Sequence, residues 1–132
     1  MEIILLDKTN EDLWNDFCLG SDNAWFWHTA DWMNYVINYK PEYKPRQLSF
    51  FVKEDNKFVA ICPLMLEEHN GIKEFSFSGF GITAPALLNG LSYKLRKKTQ
   101  DFIFEYIDCQ AKSVGVKKRH LGFLRLPPVL WG

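Results

Sequence analysis

The sequence is short of several features that would assign a function directly, and each absence excludes a class of protein. Its three cysteines, Cys18, Cys62 and Cys109, are widely spaced and form no CxxC or Cys/His cluster, so neither a zinc site nor a disulfide framework is predicted. Each lies among apolar neighbours, which predicts buried free thiols. No apolar run approaches the roughly 18 residues of a membrane span. The N-terminal run is too short and too acidic for a secretory signal, so we expect a cytoplasmic location.

The formal net charge is zero, because 16 basic residues balance 16 acidic ones. A global basic field is therefore absent, which argues against nonspecific nucleic-acid binding. Hydrophobic residues make up 47% of the 132 residues and aromatic residues 16%, which is enough to build the core of one domain. The aromatic side chains indicate either a bulky core or an aromatic-rich binding surface.

The N-terminal part predicts one strand followed by two helices. The apolar run Ile3–Leu6 favours a strand, and Thr9 or Asn10 can cap a helix that ends at Gly20. Thr29 is a suitable N-cap for the second helix. That helix carries an apolar stripe at Trp32, Tyr35, Val36 and Tyr39.

The remainder predicts an antiparallel meander, a long helix and a last strand. The meander strands are Leu48–Val52, Phe58–Leu66 and Ile72–Phe77, joined by hairpins at residues 54–57 and at Asn70-Gly71. Pro63 has no backbone N–H to donate to a neighbouring strand, so it indicates an edge strand or a β-bulge. The long helix covers about Leu91–Val114, and the last strand Leu121–Leu126. The predicted fold class is α/β (α+β), with a central, mostly antiparallel sheet and the order β-α-α-β-β-β-α-β.

This order resembles the first part of the GNAT acetyltransferase fold and, more closely, the half-modules of FemAB-like aminoacyl/acyl transferases. Three segments carry the resemblance: Phe26–Trp32 is similar to the family's aromatic-polar-small-x-x-Trp segment, Asn56–Leu64 to its hairpin ending in hydrophobic-x-Pro-Leu, and Ser78–Pro85 to its glycine-rich loop before a proline. The fourth feature is the long helix followed by a strand that begins with polar residues. The resemblance implies that residues 1–132 are a single GNAT-like module, incomplete at its C-terminus and part of a longer two-module protein.

A FemAB-like module implies transfer of an acyl or aminoacyl group to an amine, such as one on a cell-wall peptidoglycan precursor or a nucleotide-sugar-linked precursor. Acyl-CoA or aminoacyl-tRNA would be the donor. The loop from Gly79 to Ala84 lacks the Gly-x-Gly or Gly-x-Ala pattern, after a basic or amide residue, that cradles the pyrophosphate of acetyl-CoA. Coenzyme A binding by this module is therefore not expected. Catalysis by the module alone is not expected either, because the resemblance implies that it is incomplete. Expected partners are a C-terminal module or a second copy, a small-molecule or nucleotide-sugar acceptor, and tRNA.

The candidate substrate-binding residues lie in three segments of the sequence, and no catalytic residue or metal ligand is assigned. They are His28, Trp32, Gly79, Gly81, Thr83, Lys94, Lys97 and Lys98. His28 is either a substrate donor or a histidine satisfied by a backbone partner at a helix start. Trp32 and the tryptophans that precede it either line an aromatic pocket or anchor a helix to the sheet. The three lysines either bind phosphate or form a solvent-exposed face of the long helix.

The alternative function is a noncatalytic binding or assembly module. Such a module would complete its sheet with a partner chain, which would also cover apolar surface left exposed by the truncated fold.

Overall fold

The computed structural model describes residues 1–77 and 83–116. Its helices are α1 (Glu11–Gly20), α2 (Ala30–Tyr39) and α3 (Tyr93–Val114), with 3-10 turns at Phe26–His28 and Pro41–Tyr43. Its strands are β1 (Glu2–Leu5), β2 (Arg46–Gln47), β3 (Phe50–Glu54), β4 (Lys57–Cys62), β5 (Met65–His69), β6 (Ile72–Phe75) and β7 (Ala86–Leu87). Over these residues the fold is mixed α/β, and every strand pair is antiparallel.

The strands form two sheets where the sequence predicts one. One sheet has the order β1-β3-β4-β7 and the other β2-β5-β6. The division falls inside the predicted strand Phe58–Leu66, at Pro63, which has no N–H to donate to a ladder. Leu64 then donates its N–H to the hydroxyl oxygen of Ser49 at 2.8 Å, in place of a ladder bond. The prediction of a single central sheet is therefore wrong, although Pro63 does mark the irregular position.

Both predicted hairpins are present. The turn between β3 and β4 has Asp55 and Asn56 at φ 51° and 61°, and the turn between β5 and β6 has Asn70 and Gly71 at φ 52° and 75°. Two successive residues with positive φ give the turn twist that suits a two-residue hairpin, and Asn, Asp and Gly tolerate it best. The second turn sets the pairing of Glu67 with Glu74 on adjacent strands.

Helix α3 begins at the Ser92 cap, whose hydroxyl accepts the N–H of Leu95 at 3.1 Å. It ends at Gly115, which has φ 85° and donates its N–H to the carbonyl of Ala111. The predicted C-terminal end of this helix, at Val114, is confirmed. The buried face of α3 includes Ile103 and Ile107. Cys109, predicted to be buried, is exposed, because the packed face of α3 is centred on Ile103 and Ile107 and Cys109 lies off that face.

The β3–β4 hairpin lies between two helical layers. Phe50 and Val52 belong to the core that includes Ile103 and Ile107 of α3, whereas Phe51 belongs to the core with Trp14 of α1. Successive side chains of a strand point to opposite faces of the sheet, so one run of apolar residues serves both layers.

The observed order differs from the predicted one by the two short strands β2 and β7 and by the break at Pro63. The predicted last strand Leu121–Leu126 lies outside the described residues. No helix in the described part of the chain has an apolar stretch long enough to cross a bilayer.

Replacement of Ser49 by alanine tests the break between the sheets. The buried N–H of Leu64 loses its acceptor, so Ser49→Ala is expected to lower the free energy of unfolding by about 1–3 kcal/mol. Ser113→Ala, an exposed serine on α3, should change it by less than about 0.5 kcal/mol. Urea denaturation of both variants measures the difference. Equal stabilities would contradict the assigned role of Ser49.

Candidate functional site

His28 lies where α1, the 3-10 turn and the segment before β7 meet. The turn Phe26–His28 precedes α2, and Thr29 caps that helix by accepting the N–H of Trp32 with its hydroxyl. The predicted cap is therefore confirmed. The His28 carbonyl accepts the indole N–H of Trp14 from α1 at 2.6 Å. The imidazole itself is buried.

Both ring nitrogens of His28 have backbone partners. The N–H of Trp25 donates to Nδ1 at 2.9 Å, so Nδ1 carries no proton. Nε2 then carries the proton and donates it to the carbonyl of Ala84 at 2.8 Å. Burial lowers the pKa of His28 below its ordinary value of 6.5, with the bond to Ala84 acting in the opposite direction. A neutral imidazole with both nitrogens engaged positions the backbone around it.

The bond to Ala84 brings two distant segments of the sequence together. Ala84 is 56 residues beyond His28. Thr83, a predicted site residue, is partly exposed and directly precedes this anchored carbonyl. Gly79 and Gly81, the other predicted residues of this loop, lie outside the described residues. Of the predicted loop residues, Thr83 is therefore the one that the structure brings close to His28.

A second set of hydrogen bonds holds the same segment against the end of α1. The Ser21 hydroxyl donates to the Leu87 carbonyl at 2.6 Å, and the Asn89 side chain donates to the Gly20 carbonyl at 2.9 Å. The side-chain oxygen of Asn23 accepts the Leu87 N–H at 3.3 Å. The sequence indicates only a turn at Ser21–Asn23, because nothing local shows that these polar side chains pair with residues more than 60 positions away.

Exposed aromatic rings extend from the same 3-10 turn along α2. The aromatic stripe consists of Phe26, Trp27, Trp32, Tyr35 and Tyr39, in which neighbouring ring centroids lie 5.5–5.7 Å apart. Trp32, a predicted site residue, lies in the middle of the stripe rather than in an enclosed pocket. Trp25 is exposed beside it. These residues therefore form an aromatic surface.

The three predicted lysines lie on the first turns of α3. Lys98 forms an ion pair with Glu54 of β3 at 3.0 Å, and Lys97 pairs with Asp101 at 3.5 Å. The hydrogen bond from Lys98 lowers the pKa of the Glu54 carboxyl. Lys94 is exposed. Two of the three charges are thus balanced by neighbouring carboxylates, which leaves Lys94 as the best candidate to meet an anionic group.

A small cavity of ≈ 70 Å³ lies near the far end of α2, lined by Tyr43, Glu67, His69 and Glu74. Glu67 and Glu74 are direct cross-strand partners, and Glu67 is 2% exposed. The tyrosine and histidine rings are in edge contact at 5.1 Å. The Asn70-Gly71 turn fixes this register, so the pairing of the two carboxylates could have been found from the sequence.

Two of the cysteine thiols are poor nucleophiles, and the described carboxylates do not cluster as metal ligands do. Burial raises the pKa of the Cys62 thiol and raises that of Cys18 to about 11, so both are protonated near neutral pH and are poor nucleophiles. Within residues 1–77 and 83–116, no group of three His, Cys, Asp or Glu side chains is placed to hold a metal ion.

Comparison with known proteins gave no match among protein-family models, curated proteins or solved structures. The geometry of the site is therefore the basis for a functional proposal.

The neutral state of His28 makes stability depend on pH. Below pH 6.5 the unfolded chain binds a proton that folded His28 resists, so the free energy of unfolding should fall as the pH drops from 6.5 towards 5. Above pH 6.5 this contribution is fully present. Thermal unfolding across this range should show a shallower slope for His28→Gln than for the wild type. Equal slopes for the two proteins would rule out the assignment.

Proposed function

We propose that the chain is the first module of a FemAB-like acyl or aminoacyl transferase that acts on an amine acceptor, such as a cell-wall or nucleotide-sugar-linked precursor. The observation that carries the proposal is the hydrogen bond from His28 Nε2 to the carbonyl of Ala84. It joins two of the segments on which the resemblance rests, Phe26–Trp32 and Ser78–Pro85. Two segments that serve one binding site are expected to meet in space, and these do so at their ends.

The architecture supports the same proposal. A long helix, α3, follows the antiparallel strands and packs on the β3–β4 hairpin, as the resemblance implies. Two shorter helices, α1 and α2, lie between β1 and the other strands along the chain and cover the other face. The departures are the two-sheet arrangement and the short strands β2 and β7.

The contribution of this module would be to bind and orient the acceptor. Transfer requires the amine to attack an activated carbonyl, and most of the rate enhancement in such chemistry comes from positioning and from stabilising the oxyanion. The His28 hydrogen bond fixes the backbone beside Thr83, whose hydroxyl can bind a polar acceptor group. Lys94, exposed on the first turn of α3, would meet phosphate. The acyl-CoA or aminoacyl-tRNA donor would bind elsewhere in the full protein.

The second candidate function, a noncatalytic binding or assembly module, is favoured by the exposed aromatic stripe. Completion of a sheet by a partner chain has less support, because all four edge strands of the described sheets are short: β2 and β7 have two residues each, and β1 and β6 have four each. Short edge strands offer few backbone groups for pairing.

Titration with a nucleotide-sugar-linked peptide that carries a free primary amine tests the transferase proposal. Amide chemical shifts measured by NMR should move at Trp25–Asp31 and Thr83–Leu88, where the two segments meet. Lys94→Gln should weaken binding by about tenfold, because it removes a charge-assisted hydrogen bond to phosphate. Lys112→Gln is the matched control, an exposed lysine at the other end of α3.

The absence of binding, or equal effects of the two lysine variants with shifts remote from both segments, would refute the proposed acceptor site.

A further inference from the structure

The cavity beside β5 and β6 lies on the face of the second sheet that is turned away from the core. Leu66 of β5 and Phe75 of β6 are cross-strand partners and belong to the core under α3. The next pair, Glu67 and Glu74, points to the opposite face, because successive side chains of a strand alternate. The 3-10 turn Pro41–Tyr43 packs against β5 and contributes its tyrosine to the wall of the cavity, whose volume is ≈ 70 Å³.

Two carboxylates line this cavity, and one of them is almost fully buried. Glu67 is 2% exposed, whereas Glu74 is half-buried. Directly opposed side chains of an antiparallel pair have Cβ atoms about 4.5–5.5 Å apart, and like charges in these positions repel each other. A cation bound between them would relieve that repulsion. Both side chains have further interactions within the protein, but a carboxylate offers about four acceptor positions, so it can also accept hydrogen bonds from a bound donor.

The size of the cavity and the rest of its wall indicate which kind of cation it suits. In the described part of the chain, His69 and the two glutamates are not placed together as metal ligands, so the carboxylates suit a cation that brings its own N–H donors. The volume of ≈ 70 Å³ leaves room for only a few non-hydrogen atoms. The rings of Tyr43 and His69, in edge contact at 5.1 Å, supply an apolar wall for the carbon atoms of such a ligand.

A neighbouring contact shows that this group of rings accommodates an ammonium. The ammonium of Lys40 lies 5.1 Å from the centroid of the Tyr43 ring and 5.9 Å from that of Tyr39. The face of an aromatic ring attracts a cation within about 6 Å. Lys44, which follows the turn, has φ 49°, a conformation that a lysine rarely adopts. The position of Tyr43 is therefore imposed by the surrounding structure rather than by local preference.

We propose that the cavity binds a primary alkylammonium group, with Glu67 and Glu74 as its hydrogen-bond acceptors. Glu67 forms the buried end of the site, and the exposed His69 lies at its entrance. An ammonium group offers three N–H donors and a positive charge, whereas an alcohol of the same shape offers one donor and no charge. The binding does not depend on the transferase function, because none of its contacts involves Ala84 or Lys94.

Titration of the whole chain with ethylammonium chloride, followed by amide NMR spectra, tests the site. Saturable shifts should appear at Tyr43, Glu67, His69 and Glu74. The dissociation constant should lie in the millimolar range, because a ligand of three non-hydrogen atoms binds no more tightly than about 0.5 mM. Ethanol, which has nearly the same shape without the charge, should cause no such shifts. Sodium chloride keeps the ionic strength constant during both titrations.

Two variants on neighbouring strands test the role of the carboxylates. Glu74→Gln removes one charged acceptor and should weaken ethylammonium binding at least tenfold. Glu68→Gln is the matched control, because Glu68 also lies on β5 but points to the other face, opposite Lys73. Glu74 is half-buried, so its replacement is expected to leave the fold intact, which far-UV circular dichroism checks.

The proposal would be overturned by an absence of saturable shifts, by equal shifts with ethanol, or by a Glu74→Gln variant that binds ethylammonium as tightly as the wild type. Lys94→Gln should leave ethylammonium binding unchanged. Failure of the proposed acceptor site and failure of this cavity to bind an ammonium are therefore distinguishable.

Discussion

Burial of His28 as a neutral imidazole is the interaction on which the arrangement of the module depends. Its carbonyl accepts the indole N–H of Trp14, its Nδ1 accepts the N–H of Trp25, and its Nε2 donates to Ala84. One residue therefore ties α1, the turn before α2 and the segment before β7 to each other. A protonated imidazole could not accept from Trp25, so the connection to the turn before α2 requires the neutral form.

The elements that His28 connects pack on a sheet that is covered on both faces. Phe51 of β3 packs with Trp14 on one side, while Phe50 and Val52 pack with α3 on the other. The helical layer that carries His28 and helix α3 therefore lie on opposite faces of one sheet. The aromatic stripe is the outer surface of the same layer.

Local patterns predicted most of the elements but not how they meet. The Asn-Gly turn and the Thr29 cap are properties of neighbouring residues, and each is confirmed. The contacts of Ser21 and His28 with residues more than 50 positions away depend on tertiary packing, which one sequence does not encode locally. Cys109 shows the same limit, because the face of α3 that packs on the sheet is decided by tertiary contacts, and Cys109 lies off that face. Trp32, Lys97 and Lys98 were correctly placed on their helices, whereas their ring and ion-pair partners were not foreseen.

The central claim is that His28 is held as a single neutral tautomer by two backbone groups. Long-range ¹H–¹⁵N correlation spectra of the histidine side chains test it most directly, because the two nitrogen shifts report which one carries the proton. The account predicts that His28 stays in the Nε2–H form from pH 8 to below its ordinary pKa of 6.5. A His28 imidazole that interconverts between tautomers and titrates as a free side chain does would contradict the account.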